Sequence, residues 1–325
     1  MSNIFKPWLE SNLTAEARAG RLAPAFEVDD EVRAVCDQIA TGRHPILTGP
    51  PGVGKTAIVH EFVRRTARST TIERLTGRRM LQLSLHKRIG ALANRHQLAG
   101  EFSKLIEGVR KLRRPPVLFI RDLQVAYRCD LEDELALLAS LPNTVLIGEG
   151  DDAVISEMLE YTSILQQSFV RVTIDEPNLA RAERLLVAWA EACARDGRGQ
   201  YTPEALAQAL TLTYRFVPRA RFPRKAVDLL TQSRADAGTR CAVTADAVNR
   251  RFSAAHRIPR VLADPTLRLD LPRIRRSLEA ALIGQPEAVE AIVDAVGVLK
   301  SGLADIHRPL AAILLVGPTG VGKTY

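Results

Sequence analysis

With 325 residues, of which 46% are hydrophobic and 25% charged, the chain has the composition of a folded protein long enough for two domains, which excludes disordered and collagen-like classes. No apolar run reaches the roughly 18 to 20 residues of a membrane span, and the start MSNIFKPWLE lacks the basic and apolar regions of a secretion signal, so a cytoplasmic setting without membrane contact is expected. The formal charge of +8 fits a nucleic-acid partner, a polyanionic ligand or a generally arginine-rich composition; the basic clusters at 64–79, 104–114 and 215–225 carry few interleaved aromatics and read as solvated helix faces.

In chain order, the first half alternates short apolar runs with longer amphipathic stretches, the pattern of a parallel sheet covered by helices. Strands are expected at 45–48, 81–85, 116–120, 144–148 and 170–174, with helices at 55–68, 101–112 and 131–141 between them. In the second of these helices Phe102, Leu105, Ile106 and Val109 share one face. After Asp175-Glu176-Pro177 the strand signals stop, and helices are expected at 179–194, 203–212, 223–235 and 245–252. A third stretch from Pro259 holds helices at 271–282 and 286–301 and a strand at 311–316. The order predicts a doubly wound α/β domain over 1–176, a small helical domain over 177–258, and over 259–325 a linker with the start of a second α/β domain. Cys36, Cys129, Cys193 and Cys241 stand singly, with no CxxC pair or histidine cluster, so neither a zinc site nor a disulfide framework is indicated.

Two octapeptides of the form GxxxxGK[ST] punctuate this order: Gly49-Pro50-Pro51-Gly52-Val53-Gly54-Lys55-Thr56 and Gly317-Pro318-Thr319-Gly320-Val321-Gly322-Lys323-Thr324. Each follows an expected strand and the first opens an amphipathic helix, the context that makes a phosphate-binding P-loop specific. Gly49, Gly52 and Gly54 let successive N–H groups turn toward phosphate oxygens, and the helix N-terminus adds a partial positive charge. Lys55 is expected on the β- and γ-phosphates of ATP and the Thr56 hydroxyl on Mg²⁺, with Lys323 and Thr324 in the same roles in the second copy. Turnover also needs an acid at the end of a neighbouring strand for Mg²⁺ and a group that positions water. The run Val117-Leu118-Phe119-Ile120 ends in Arg121 and Asp122, whose side chains point to opposite faces of an extended chain, so Asp122, the one candidate catalytic acid, cannot serve both roles.

The segments LTAEARAGRLAP (13–24), HPILTGPPGVGKTAIV (44–59), GALANRHQLAGEF (90–102), TIDEPN (173–178), FPRKAVDLL (222–230), VTADAVNRRF (243–252), LIGQPEAVEAI (282–292) and GLADIHRPLAAILLVGPTGVGKT (302–324) follow one another in an order that resembles the Clp family of AAA+ protein unfoldases. In that ClpA, ClpC and ClpB group each chain carries two ATPase modules, and the likeness covers nearly all of the sequence. The resemblance implies a P-loop NTPase sheet with a helical lid, ATP and Mg²⁺ as cofactors, a homohexamer, and unfolded or tagged proteins as substrates. A partner peptidase or a secretion apparatus remain open alternatives. It also implies that the family's amino-terminal adaptor domain is missing, that 230–243 has no room for the coiled-coil middle domain, and that the chain is a piece of a longer protein of ClpA-like layout.

The departures from the family fall in the first module. Where the family has an Asp-Glu pair, this chain has Arg121-Asp122. The sensor-1 stretch corresponds to Glu149-Gly150-Asp151, two carboxylates expected to repel phosphate, and the arginine-finger pair falls on Gln167 and Ser168 before Phe169. The adenine-side segment reads Ala25-Phe26-Glu27-Val28, whereas Leu282-Ile283-Gly284-Gln285 keeps the family form, and the pore-loop aromatic position is Leu98, with two readings, a contact that presses on a substrate chain or, preferred, a plain loop residue. Arg121 has two readings, a partial substitute for the metal's charge or, preferred, a side chain in a crevice unrelated to nucleotide. Asp122 is either a residual magnesium acid or an ordinary structural one. Losing an arginine finger costs roughly 10³- to 10⁵-fold in rate. The first module is therefore expected to bind nucleotide with negligible turnover, and the second to hydrolyse ATP. Two alternatives stay open: a non-hydrolysing assembly protein, and a nucleic-acid-remodelling AAA+ protein, for which the sequence offers charge but no helix-turn-helix or initiator signature.

Overall fold

The computed structural model describes residues 4–68, 72–90, 95–161, 163–237 and 241–301 and, singly, 312, 314 and 316. Most of the strand expected at 311–316, the whole second glycine motif at 317–324, and 91–94 of the expected pore loop lie outside the described residues. The chain divides into two compact units, residues 1–189 with 221–224, and residues 190–220 with 225–325.

The first unit opens with β1 (Leu9–Asn12), α1 (Leu13–Arg18), α2 (Asp29–Ala40), β2 (His44–Thr48) and α3 (Lys55–Arg68). It continues through β3 (Met80–Ser84), α4 (Leu85–Ile89), α5 (Arg95–Arg110), β4 (Val117–Arg121), α6 (Gln124–Arg128) and α7 (Glu132–Ser140). Then come β5 (Leu146–Gly150), α8 (Asp152–Glu160), α9 (Ser163–Ser168), β6 (Phe169–Thr173) and the start of α10 (Leu179–Arg195). The strands form one six-stranded sheet in the order β1-β3-β4-β5-β2-β6. Only β1 runs antiparallel to its neighbour. This is the doubly wound α/β architecture the sequence predicts, and each of the five parallel strands lies within two residues of its expected bounds.

Period-two alternation explains why helices cover both faces. In β4, Leu118 and Ile120 pack with Leu81, Leu83, Phe102 and Leu105, while Val117 and Phe119 pack with Val35, Ile58, Phe62 and Ile147 on the other side. All five residues of β2 and of β5 are buried, as central parallel strands require. Each fully buried Leu, Ile or Phe contributes about 1.5–3 kcal/mol relative to exposure. In α3 the buried Ile58, Val59, Phe62 and Val63 form one stripe, which fixes the helix onto the sheet and so fixes its first residues, Lys55 and Thr56, over the end of β2.

Two local expectations change. β1 has no apolar run to announce it; it is held by Trp8, which precedes it, lies 1% exposed and meets Phe102 edge-to-face at 5.3 Å. Leu98, expected as a loop residue, lies on α5 at 2% exposure and belongs to the same core as Phe102 and Leu105, so it is a packing residue rather than a contact for a passing chain. The helix begins six residues earlier than the 101 expected, because the stripe of Phe102, Leu105 and Ile106 extends back one turn to Leu98.

His44 at the start of β2 ties the central strands together and makes stability depend on pH. Its ring is 3% exposed; Nε2–H donates to the Ala139 carbonyl at 3.0 Å, and Nδ1 accepts from the Leu146 N–H at 3.3 Å. Both roles require the neutral ring. Burial pushes its pKa below the usual histidine value; the bond to Ala139 opposes this, and the Arg74 charge adds to it. As pH falls below about 6.5 the unfolded chain takes up this proton before the folded one, so stability is complete above that pH and declines below it, by at most about 1.4 kcal/mol per pH unit for one proton. His60, also lowered by burial, acts in the same direction. Urea midpoints measured from pH 7.5 to 5.5 are expected to fall in the wild type and to fall less steeply in His44→Asn. Equal slopes in the two proteins would remove His44 from this account.

The second unit contains the end of α10, then α11 (Pro203–Phe216), α12 (Arg224–Ala237, its first residue counted with the first unit), α13 (Ala245–His256), α14 (Arg260–Ala263), α15 (Leu271–Ala281) and α16 (Pro286–Ser301). Among its described residues the only β pairing is an isolated bridge between Tyr201 and Val243. Thr202 caps α11 by accepting from the Ala205 N–H at 3.2 Å, with Pro203 in the first turn, and Thr244 caps α13 through the Ala247 N–H at 3.4 Å. α11 packs on α13, where Leu206, Ala209, Leu212, Val248 and Phe252 are buried.

Candidate functional site

β2 stops at Thr48 and α3 starts at Lys55, so residues 49–54 form the turn at the carboxyl end of the sheet. Gly49, Gly52 and Gly54 have φ of 141°, 93° and 106°, a region that side chains disfavour. At Gly49 space forbids a side chain as well. A Cβ there would lie 2.2 Å from the Ile174 carbonyl oxygen, and Ile174 is itself tied to Thr48 by an N–H···O bond of 2.8 Å. Gly52 faces residues 221–224 of the same unit: a Cβ on it would stand 3.3 Å from Arg224 Cβ, and the Arg224 N–H lies 3.4 Å from its carbonyl. Glu176 anchors that segment through the Phe222 N–H and the Arg221 guanidinium, both at 2.9 Å.

Lys55 curls over the loop, its ammonium donating to the carbonyls of Gly49 at 2.6 Å and Pro50 at 3.0 Å. Burial pushes its pKa down, and the charges of Glu149, Asp151 and Asp122 oppose that. The Thr56 hydroxyl donates to the Glu149 carboxylate, 2.9 Å from Oε1 and 2.7 Å from Oε2. Glu149 is 4% exposed and also accepts from Arg121 Nε at 3.2 Å, while Arg121 Nη1 reaches Glu10 on β1 at 3.2 Å. Burial pushes the Glu149 carboxyl up; the Thr56 bond and the Arg121 charge hold it back. Burial also weighs against the Arg121 charge, but Glu149, Glu10 and Asp122 outweigh it and raise its pKa.

Arg121 therefore does not enter a crevice away from the loop. It lies one carboxylate from Thr56, because β4 and β5 pair in register and put both side chains on the same face. Asp122 sits just beyond the end of β4 in a left-handed conformation, φ 50°, with its side chain 42% exposed. Its Oδ1 accepts from Gln124 at 3.4 Å and its Oδ2 is 3.8 Å from His86, so Glu149 rather than Asp122 meets Thr56. Asp151, the other acid expected to face phosphate, caps α8 through the N–H groups of Ala153 and Val154 at 3.1 and 3.4 Å. Gln167 and Ser168 close α9, where the nearby cation, Arg43, donates to the Gln166 and Phe169 carbonyls at 3.0 and 2.9 Å. In the adenine-side stretch Ala25 N–H donates to Glu61 at 3.2 Å, and Glu27, at φ 56°, accepts from Arg184 at 3.0 Å.

Two neighbours of the loop make contacts that the sequence alone does not predict. Glu149, expected as a source of repulsion, is instead a hydrogen-bond partner of Thr56, and an acid among the buried residues of β5 asks for such a partner. Arg224 beside Gly52 has no local signal, since the contact joins residues far apart in the chain.

Residues 45–138 match the AAA family, the ATPase family associated with various cellular activities. The chain is 24% identical to the ATP-dependent Clp protease ATP-binding subunit ClpE of Lactococcus lactis, with 96% of this chain and 50% of that protein covered. It is 25% identical to the ClpA homolog protein of Fuscovulum blasticum, covering 96% and 41%, and 23% identical to the chaperone protein ClpB of Oceanobacillus iheyensis, covering 99% and 49%. It thus spans about half the length of the curated relatives it matches. Among solved structures, the Hsp104:casein complex of S. cerevisiae in its extended conformation aligns with a TM-score of 0.76 at 22% identity, over 94% of this chain and 55% of that one. The S. cerevisiae Hsp104-ADP complex aligns at 0.69 and 23% identity, over 93% and 54%. At these identities the structural likeness carries the fold.

Proposed function

Because the chain belongs to the Clp-type AAA+ ATPases and its first unit has their P-loop fold, we propose that this unit binds Mg-ATP and helps hold the subunits of a hexameric protein unfoldase together while turning ATP over negligibly. ATP hydrolysis then falls to a second module whose P-loop starts at Gly317, with residues 177–258 as the lid of the first. Unfolded or tagged proteins are the substrates and the cytoplasm is the compartment.

The observation that carries this reading is the contrast between a complete phosphate cradle and the groups around it. The glycine turn, Lys55 and Thr56 are in place, whereas the end of β4 presents Arg121 ion-paired to a buried carboxylate. Asp122 is engaged with Gln124, and Gln167 and Ser168 carry no charge. The oxygens of Thr56 and Glu149 are hard donors of the kind that would hold Mg²⁺, whose charge would offset that of the phosphates. In the basic stretch 64–79, Arg74 and Arg78 are engaged by backbone carbonyls, of Ile39 at 3.2 Å and Pro115 at 2.7 Å, which favours a structural role for these two over a nucleic-acid contact.

Binding of a fluorescent ATP analogue and steady-state phosphate release test this directly. Charge-assisted contacts of about 1.5–3 kcal/mol correspond to roughly 10- to 150-fold in affinity, the loss expected for Lys55→Ala. Phosphate release is expected at background in both proteins. Turnover that Lys55→Ala abolishes would overturn the proposal.

A further inference from the structure

The last residue of β4 is Arg121 and the carboxylate of Asp122 beyond it accepts from Gln124, yet another carboxylate, that of Glu149, stands against Thr56. We propose that Glu149 of β5, steadied by Arg121, is the cation-binding carboxylate of this unit, transposed by one strand, and that it makes nucleotide binding depend on the cation. This inference rests on the nucleotide-binding reading above.

Strand register supplies the geometry. Ile120 of β4 pairs with Gly148 of β5, so the next residues, Arg121 and Glu149, run alongside each other, and Glu149 in turn pairs with Leu47 of β2. A carboxylate on β5 is therefore one interstrand spacing, about 4.8 Å, nearer the strand that carries the loop than one on β4. Leu47, Phe119 and Ile147 belong to the core that includes the α3 residues Ile58 and Phe62, so Glu149 and Arg121, two residues on from Ile147 and Phe119, share the face on which α3 begins. Oε1 is divided between Thr56 and Arg121, whereas Oε2 accepts from Thr56, and Arg121 is braced from its far side by Glu10. The guanidinium thus orients the carboxylate through Oε1 alone.

The donor count points to a cation that arrives with the nucleotide. Among the described residues no three His, Cys, Asp or Glu side chains form a metal cluster. Mg²⁺ commonly takes one or two protein carboxylates and completes its shell with water and phosphate oxygens, which is the number available here. Without a cation, a buried carboxylate beside the cradle opposes incoming phosphates; with one, it attracts them. An Arg for the usual acid on β4 then reads as the counterpart of an acid gained on β5.

The test is equilibrium binding of methylanthraniloyl-ADP, which needs no turnover, in Mg²⁺ and in EDTA. The wild type is expected to bind at least about tenfold tighter with Mg²⁺, and Glu149→Gln to lose most of that ratio, in line with the 10- to 100-fold cost of disturbing metal-site residues. Melting curves check that the variant is folded, and Arg121→Gln/Glu149→Gln, which removes both charges together, provides the same readout if the single variant is not. Mn²⁺ EPR on the wild type should show bound cation when ADP is present and little without it. Failure of the wild type to bind in either buffer would sink the nucleotide reading and this inference with it. Equal wild-type affinity in Mg²⁺ and EDTA, or an unchanged ratio in Glu149→Gln, would overturn the inference and leave the nucleotide reading intact. Tighter binding by Glu149→Gln in both buffers would make the carboxylate only a repulsive plug, and would also overturn it.

Discussion

Gly49→Ala is expected to abolish nucleotide binding and to lower stability by about 2–6 kcal/mol, the sum of backbone strain and overpacking, each about 1–3 kcal/mol. The new methyl group would have to occupy the place of the Ile174 carbonyl oxygen, 2.2 Å away. That oxygen cannot retreat easily, because it is backbone, and the same residue donates its N–H to Thr48 at 2.8 Å and continues the pairing of β2 with β6. Relief must come from the loop, which would carry the Gly49 carbonyl away from Lys55. Gly54→Ala is the control: φ is 106° there, but nothing stands within 4 Å, so only strain, about 1–3 kcal/mol, applies. Urea denaturation and nucleotide titration of the two variants should separate them. A Gly49→Ala protein as stable as the wild type would show that the contact with Ile174 does not constrain the loop.

That contact illustrates what the sequence makes legible. The glycine motif is local, as are the apolar runs of β2 to β6, so the loop and the sheet that presents it can be read from residues in order. β1 could not be, because Leu-Glu-Ser-Asn has neither alternation nor a run, and its place comes from Trp8 packing on α5. Likeness to a family motif points position 98 to a loop, whereas a leucine one turn ahead of Phe102 and Leu105 also fits a helix stripe, and packing decides for the helix. The partners of Thr56 were hidden for a different reason. Residues 56, 121 and 149 meet only once β2, β4 and β5 are placed in order and register, and a count along the chain sees Glu149 as a charge without seeing what it touches. Asp122, next in sequence to Arg121, takes a left-handed turn at φ 50° with its carboxylate beside Gln124, a local conformation that no residue pattern announces.

Phe119→Ala is expected to cost about 3–5 kcal/mol, the range for truncating a buried phenylalanine, and to leave nucleotide affinity close to that of the wild type. Phe119 is fully buried at the centre of β4, flanked in register by Gln82 of β3 and Ile147 of β5. Removing its ring leaves a cavity under α3's face of the sheet. The phosphate loop, however, hangs from β2, which is held on its two sides by β5 and β6, not by β4. Phe119→Ala and Gly49→Ala should therefore lose comparable stability while differing in binding, which separates damage to the core from damage to the cradle. Measured well below its lowered melting temperature, a Phe119→Ala protein that has also lost nucleotide would show that the cradle depends on β4, through Arg121 and its hold on Glu149, more than on the strand that carries it.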